Sequence, residues 1–408
     1  MRRPWKRNVT HFSFRRNKSD SQRSAKKALQ WLTVMENRYS KRVSEVRPTM
    51  ECYRHVLVAL SKATPNNKIV EEVDSILSIM EQRALLPDST CYSAAVKTCC
   101  NQVKSPLSSR HKDAKNAVVM LMTMSEMHFR SSSTIVKPTN IDFNNVLEAL
   151  SYDKHKKSAH QAEELLQKME SLYEEGDEHM APTHESYLHT INTWKKNRVV
   201  EEKAEACLRL LDAMNSQYEK GNESCAPNVE CFNAALGVCG SVKPTSNDHI
   251  QRKKLLLTAV QIVNDLRDST LEVDSETYYY LIKAFDVLHT GNDEQKWDSI
   301  NSIFDKCCTE GLVDDRILRT FQKVVPSNIY MKAVIQASAK AHGIEVEDVE
   351  SEELFLPQDW TSRIEKGRRV IPLSVKGEFL SPRSRIGGES KMNLIRSKEN
   401  QKLLRGGR

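Results

Sequence analysis

Prolines recur along this chain with an aromatic residue five positions later, and this spacing limits the possible folds more than any other feature. The pairs are Pro48/Tyr53, Pro87/Tyr92, Pro138/Phe143, Pro182/Tyr187 and Pro227/Phe232, followed by the weaker pairs Val273/Tyr278 and Val313/Leu318. Proline is tolerated in the first turn of a helix but not in its interior, so each proline predicts the start of a helix. The next residue is Thr or Asp in four units, and both types are favoured as helix N-caps: Thr49, Asp88, Thr139 and Thr183.

A second pattern lies between successive prolines and keeps a fixed phase to them. A small or aliphatic residue is followed at offsets of three, four and seven by an apolar pair and then Met or a substitute, as in Ala162, Leu165, Leu166 and Met169. These offsets place all four side chains on one face of a helix. Met at a recurring position of this face is typical of core packing rather than of ligand binding. Instances of this pattern begin at Ala28, Val73, Ala117, Ala162, Cys207, Ala259 and Ile300.

Each unit is therefore two amphipathic helices, and one such pair cannot bury both apolar faces alone. Successive pairs have to stack, which predicts an all-α fold: a right-handed α-solenoid of about seven stacked antiparallel helix pairs over residues 25–342. The repeat lengths are 39, 51, 44, 45, 46 and 40 residues. Most of the longer units add six or seven residues after the Met position, so we expect second helices extended by about two turns. Two of these extensions reach a glycine, Gly176 and Gly221, as helix ends often do.

These paired motifs resemble the pentatricopeptide repeat. The longer units are most similar to the variants common in algal and other protist lineages, and the resemblance is strongest in the units that start at Pro138, Pro182 and Pro227. Tetratricopeptide arrays are the nearest alternative, but their Trp/Gly/Tyr pattern is not visible. The resemblance implies single-stranded RNA as the partner, with each repeat addressing one base through two or three side chains.

The family's base-reading pair is the residue after the first-helix aromatic together with the residue after the next proline. On this resemblance, Asn233 with Asp274 matches a uridine-type pair, and Asn144 with Thr183 suits a pyrimidine. Ser93 with Thr139 forms an ambiguous third pair. The alternative role of each residue is that of a solvated polar side chain on the first helix. The remaining combinations depart from the usual ones: Arg54/Asp88, Leu188/Asn228 and Tyr279/Asp314.

Charge is strongly segregated along the chain. Residues 1–27 hold ten Lys or Arg and one Asp, residues 361–408 hold thirteen Lys or Arg and four Glu, and the total is +7, so residues 28–360 carry −11. RNA binding depends largely on Lys and Arg that neutralise phosphates, which favours the tail for this role. The tail candidates are Arg363, Lys366, Arg368 and Arg369; in the body, a groove lined by Lys195, Lys196, Arg198 and Lys203 is the alternative.

The same charges suggest a division of the chain into a basic arm or presequence (1–24), the repeat array (25–342), an acidic linker with a Trp-containing cap (343–360) and a basic tail (361–408). The Arg-rich, Ser-containing N-terminal stretch is nearly free of acids and lacks an apolar core, which is typical of a mitochondrial presequence. A plastid or nucleolar address is the alternative. The segment around Trp360 fits either a cap on the last repeat or a contact with a partner.

Catalytic signatures are absent from the sequence. It contains no phosphate-binding glycine loop, no H-E-x-x-H and no G-x-S-x-G, and no C-x-x-C that would favour zinc. Cys52, Cys91 and Cys231 share one repeat position and are interpreted as small helix-face residues. We therefore expect a non-catalytic protein with no cofactor, no metal, no small-molecule substrate and no membrane span. Two functions remain open: an organellar RNA-binding protein for RNA processing, stability or translation, and a protein-interaction scaffold of an organellar ribonucleoprotein such as a mitochondrial ribosome.

Overall fold

The computed structural model describes residues 18–41, 47–106, 108–131, 136–197, 202–241, 249–343, 354–364 and 370–371. These residues belong to two compact units, unit 1 (Met1–Ser241) and unit 2 (Val242–Arg408). Helices dominate both units and alternate as the two sequence patterns predict. The chain has the all-α solenoid fold expected from the repeat.

Unit 1 alternates helices of the Met pattern with helices that follow a proline. Its helices are α1 (Lys18–Ser40), α2 (Met50–Leu60), α3 (Asn67–Gln82), α4 (Ser89–Val103), α5 (Arg110–Ser131), α6 (Asn140–Tyr152), α7 (Ser158–Glu174), α8 (His184–Lys196), α9 (Lys203–Glu219) and α10 (Val229–Cys239). Short 3-10 turns, Glu178–Met180 and Glu223–Cys225, follow α7 and α9. Helix α1 begins at Lys18, ahead of the residue 25 at which the array was expected to start, and Ser24 and Ala25 on it are buried.

Unit 2 continues the alternation. Its helices are α11 (His249–Asp268), α12 (Ser275–Leu288), α13 (Asp293–Thr309), α14 (Asp315–Val324), α15 (Ser327–Tyr330) and α16 (Ala337–His342), with a π-helical segment, Met331–Gln336, between the last two. A two-residue antiparallel bridge joins β1 (Leu354–Phe355) to β2 (Val370–Ile371), and a 3-10 turn, Gln358–Thr361, lies between them.

The two sequence patterns form the core. Every first-helix aromatic, together with its substitute Leu318, is at most 3% exposed, and every residue at the Met position is at most 6% exposed. Burying a side chain of this size is worth about 1.5–3 kcal/mol, so the repeated positions account for much of the stability of each unit. Cys52, Cys91 and Cys231 are buried beside them, as expected for small helix-face residues.

The residue after the proline occupies the N-cap position of the first helix, as predicted for Thr49, Asp88, Thr139 and Thr183. Asp88 accepts the backbone N–H of Cys91 at 3.0 Å, and Asn228 accepts that of Cys231 at 2.9 Å. The N-cap Thr139 is tied to the Asp142 carboxylate through its own N–H at 3.0 Å. An N-cap of this kind contributes roughly 1 kcal/mol. The polar residue at this repeat position therefore has a structural role whether or not it also binds a ligand.

A tyrosine–glutamate hydrogen bond ties first helices to the second helix before them. The residue after the Met position is Glu36 or Glu170, and it accepts the hydroxyl of Tyr53 or Tyr187, the second pair at 2.6 Å. Burial, and next these hydrogen bonds, raise the pKa of both tyrosines. A hydrogen bond to a charged acceptor is worth about 1.5–3 kcal/mol. Units whose aromatic is Phe instead carry Ser125 and Asn215 after the Met position.

Extended second helices are present: α5 continues seven residues past Met124, but α7 and α9 are shorter than expected. Helices α7 and α9 continue five residues past Met169 and Met214, whereas α3 ends two residues past Met80. This difference is about one turn, not two. The chain then leaves the helix through Gly176 and Gly221, with φ of 98° and 99°, and the rest of each insertion forms the 3-10 turn. The glycines end the helix because a left-handed φ is strained for other residues.

The Trp360 segment packs within unit 2. The Val313 N–H donates to the Trp360 carbonyl at 2.9 Å, and the indole meets the Phe304 ring edge-on at a centroid distance of 5.8 Å. Gly311, with φ of 70°, lies under this segment; a Cβ there would be 2.2 Å from Ser362 Oγ. The segment therefore covers the end of α13 and the start of α14.

Candidate nucleic-acid interface

The first helices of unit 1 contact one another in sequence order, α2 to α4, α6, α8 and α10. The residue after each aromatic occupies the same place on each helix and so forms a row along this face. The row consists of Arg54, Ser93, Asn144, Leu188 and Asn233. Two members contact the N-cap residue of the next first helix: Arg54 contacts Asp88, and Asn144 contacts Thr183.

Asn144 and Thr183, expected to act as a pair, are in direct contact. The Asn144 Nδ2 donates to Thr183 Oγ1 at 3.1 Å, and Ser186 Oγ donates to Asn144 Oδ1 at 2.6 Å. Ser186 Oγ also accepts the Thr183 N–H at 3.0 Å. Asn144 and Thr183 are half-buried, and an amide has two N–H donors and two acceptor lone pairs. One donor and one lone pair of Asn144 therefore stay available for a base edge.

The side chains of Arg54 and Asp88 form an ion pair with each other. Arg54 Nη2 lies 2.7 Å from Asp88 Oδ2, while Asp88 Oδ1 accepts the Cys91 N–H. Each carboxylate oxygen thus already has one partner, and the charge of Asp88 is balanced by Arg54 before any base arrives.

Ser93 with Thr139, the third expected pair, is not joined in this way. Ser93 and Thr139 are both half-buried, and no hydrogen bond between them occurs among the described residues; the carboxylate of Asp142 holds Thr139 instead. Asn233, in unit 1, is only 3% exposed. Asp274, in unit 2, caps α12 by accepting the Thr277 N–H at 2.8 Å.

Ion pairs cross the same face between repeats. Lys104 Nζ at the end of α4 lies 2.6 Å from Glu148 Oε2 on α6. Burial lowers the pKa of His189 on α8, an effect that Glu148 and Glu185 oppose. The neutral form of His189 therefore predominates at pH 7. This face offers few uncommitted cations for phosphates.

The basic residues proposed from the sequence lie in different environments. Arg363 pairs with Glu272, and its N–H donates to the Gly311 carbonyl, so it is part of the packed Trp360 segment. Lys366, Arg368 and Arg369, like Arg198, lie outside the described residues. In the body groove, Lys195 and Lys196 are half-buried at the end of α8.

Lys203 does not line a groove, which corrects the sequence interpretation. It is 2% exposed, and its Nζ donates to Ser241 Oγ at 2.7 Å. Burial lowers its pKa to about 8, with Cys207 and Cys239 acting in the opposite direction. A side chain this enclosed cannot contact a phosphate in solvent.

Sequence reasoning missed a cluster of exposed cations at the loops that follow α4 and α6. Its members are Arg110, Lys112, Lys115, Lys154, Lys156 and Lys157. The signal was present in the sequence, since both basic runs lie within the eight residues before the small residue that opens the second-helix pattern, Ala117 or Ala162. Together with Lys195 and Lys196 these six residues are called the basic edge below.

Metal and membrane sites were also sought in the part of the chain that the structure describes. There, no group of three His, Cys, Asp or Glu side chains is arranged to hold a metal ion. Within the same residues, no helix combines the length and apolar character needed to cross a bilayer.

No protein-family model and no curated protein matches this sequence. Among solved structures, it is similar to the pentatricopeptide repeat protein PPR10 from maize, with 14% identity, a TM-score of 0.35 and coverage of 81% of this chain and 55% of that one. PPR10 in complex with an 18-nucleotide psaJ RNA element gives 14% identity, a TM-score of 0.33 and coverage of 83% and 57%. This chain thus spans little more than half the length of these proteins.

Proposed function

We propose that this protein is a non-catalytic, pentatricopeptide-like repeat protein that binds single-stranded RNA along the first-helix row. The observation that carries the proposal is the contact between Asn144 and Thr183, which brings together residues of two successive repeats. A base held there would meet side chains from both repeats, the arrangement expected when one repeat addresses one base. The repeated sequence patterns supply the rest of the support.

The geometry favours recognition of a few bases over recognition of a long RNA sequence. Asn144 keeps a donor and an acceptor for a base, whereas Arg54 and Asp88 form an ion pair with each other. Leu188 has no polar atom in its side chain to offer. Binding of a few bases around α6 and α8, with additional phosphate contacts elsewhere, is the model that follows.

The test begins with RNA recovered by crosslinking from cells that express the tagged chain, compared with a tag-only control. The variant is Asn144→Asp, which keeps an acceptor for Ser186 and lets Thr183 donate its hydroxyl, but replaces the base-facing donor by an acceptor. We expect affinity for the recovered RNA to fall by about fivefold or more, or about 1 kcal/mol. The matched control is Asn145→Asp, the same change one residue away on α6.

Two results would refute this proposal. One is recovery of no RNA above the tag-only control. The other is an Asn144→Asp protein that binds the recovered RNA as tightly as the Asn145→Asp protein does. Thermal unfolding of both variants separates loss of binding from loss of folding, because only the first leaves the transition temperature unchanged.

A protein scaffold is the second candidate, and the extended helices favour it. Around the ends of α7 and α9, unit 1 presents exposed carboxylates, among them Glu174, Glu175, Glu178 and Glu223. Such a surface repels RNA and suits a basic protein partner. Purification at moderate salt distinguishes the two functions, since an assembly that survives RNase supports the scaffold and one that RNase disperses supports RNA binding.

The Arg-rich N-terminal stretch is the basis for proposing mitochondria as the site of action, with roles in RNA processing, stability or translation. Imaging of a C-terminally tagged chain tests the location. A plastid or nucleolar signal would contradict it.

A further inference from the structure

The basic edge is a surface separate from the first-helix row. It lies where first helices end and second helices begin, whereas the N-cap residues that complete the reading pairs lie at the opposite ends of those helices. Six of its cations are exposed: Arg110, Lys112, Lys115, Lys154, Lys156 and Lys157. Three successive repeats of unit 1 contribute to it.

Specific contacts hold these loops together. His111 Nδ1 on α5 lies 2.8 Å from Asp153 Oδ2 in the next repeat, and the His111 and His155 rings stack at 4.0 Å. Asn197 Nδ2 at the end of α8 donates to the Lys156 carbonyl at 3.1 Å. The cations are therefore carried by packed loops at fixed relative positions.

Exposed cations outnumber the carboxylates at the basic edge, where Glu164 also lines the groove. Asp113 accepts a hydrogen bond from the Ser108 hydroxyl at 2.6 Å. Asp153 accepts one from the Ser158 hydroxyl and also contacts His111 Nδ1. Within the described part of the chain, the six exposed cations form no ion pair. Like charges at close range repel one another, and an anionic ligand would relieve that repulsion.

Lys196 lies close to several other cations of the basic edge. Its Nζ lies 4.6 Å from the centroid of the Tyr152 ring. Burial lowers its pKa, and the charges of Arg110, Lys195 and Lys154 lower it further. Cations from three successive repeats thus act on one ammonium group.

The far edge of the same helices carries the opposite charge. Exposed Glu175 directly follows α7 and exposed Glu219 ends α9, whereas Glu174 pairs with Lys220 at 2.8 Å. The antiparallel helices of unit 1 therefore separate charge along their axes, with base at one edge and acid at the other. A polyanion is attracted to the basic edge and repelled from the acidic one.

The chemistry of the surface indicates which polyanion fits. A groove of about 670 Å³ runs between the loops and is lined by His111, Lys115, His155 and Lys157 among others. The His111 and His155 rings of this groove cover one face of each other, and Lys196 covers one face of the nearby Tyr152 ring. Single-stranded RNA binders use open aromatic rings for base stacking. Double-helical RNA is bound through its phosphates and hydroxyls and needs none.

We propose that the basic edge binds the phosphate backbone of double-helical RNA, independently of base sequence and of the first-helix row. The cations of successive loops would neutralise successive phosphates along the duplex. Each such contact releases counterions, so the affinity depends steeply on salt.

The test uses the full chain and a blunt RNA duplex of roughly 20 base pairs with arbitrary sequence, beside one of its strands alone. The variant is Lys154→Gln, Lys156→Gln, Lys157→Gln, and binding is followed by fluorescence anisotropy between about 50 and 200 mM KCl. The matched control removes the same charge from exposed positions elsewhere: Lys68→Gln, Lys306→Gln and Lys323→Gln. The corresponding Lys→Arg triple variant of the basic edge keeps the charge.

We expect the basic-edge variant to bind the duplex at least about tenfold more weakly, and the slope of log K against log salt to fall by about 2 to 3. The Arg variant and the control triple should behave like the unaltered chain. Asn144→Asp should leave duplex binding unchanged, so failure of the first-helix proposal would not imitate failure of this one.

Three results would overturn the proposal. The slope and affinity for the duplex could be the same in the Gln variant as in the control triple. The single strand could lose as much affinity as the duplex, which would assign the surface to unpaired RNA. Polyglutamate could displace the duplex at equal charge concentration, which would assign the surface to an acidic protein.

Discussion

Replacing the buried Lys203 by Met should stabilise the protein. Lys203 is 2% exposed and its Nζ has Ser241 Oγ, at 2.7 Å, as the hydrogen-bond acceptor. Burial lowers its pKa from 10.5 to about 8. At pH 7 the amine is charged in both the folded and the unfolded chain, so the whole difference in pKa opposes folding. At about 1.4 kcal/mol per pH unit, the penalty is about 3 kcal/mol.

The pH dependence has a definite sign. A basic side chain whose pKa is lower in the folded than in the unfolded state destabilises the folded protein below the folded pKa. This destabilisation disappears as the pH rises towards the unfolded pKa. The advantage of Lys203→Met should therefore shrink from about 3 kcal/mol at pH 7 to about 1.4 kcal/mol at pH 9.5. Other groups that titrate over the same interval do so in both proteins. The difference between the two proteins isolates Lys203.

The assay is denaturant unfolding of both proteins at the two pH values, with Lys68→Met as the exposed control. Ser241 should tolerate the loss, because its hydroxyl also donates to the Val238 carbonyl at 2.6 Å and is partly exposed. RNA affinity should stay unchanged, since Lys203 does not reach solvent. A Lys203→Met protein that is less stable than the unaltered chain, or whose advantage is the same at both pH values, would refute the reasoning.

Two further predictions concern the repeat scaffold. Tyr187→Phe removes the hydroxyl that donates to Glu170 at 2.6 Å. Because the half-buried carboxylate then lacks this donor, the free energy of unfolding should fall by about 1–3 kcal/mol. The same change in a Glu170→Gln background should cost much less. Gly176→Ala forces φ of 98° on a residue with a Cβ and should lower the free energy of unfolding by roughly 1 kcal/mol or more, although no atom lies within 4 Å of the added carbon. Gly240→Ala, where φ is −75°, is the matched control. An equal loss of stability in both variants would contradict the backbone argument.

The candidate site was only partly readable from the sequence. The family resemblance paired Asn144 with Thr183, and the two side chains are in contact. The closure of Arg54 on Asp88 and the burial of Asn233 could not be derived in the same way. Those outcomes depend on how closely one repeat approaches the next, which the sequence of a single repeat does not specify.

By itself, the sequence determined where the helices of the array begin and which side chains they bury. Both properties are local: proline excludes a helix interior, and apolar offsets of three, four and seven lie on one face whatever surrounds them. Stacking of helix pairs followed because neither face can be hidden within one pair.

Only the tertiary structure decided which residues meet across repeats. It enclosed Lys203, shortened the extensions of α7 and α9 by turning the chain at Gly176 and Gly221, and gathered lysines about 40 residues apart onto the basic edge. The physical reason is that such contacts depend on the distance and rotation between neighbouring helix pairs. Those quantities are set by the packing of many side chains at once, and no single motif encodes them.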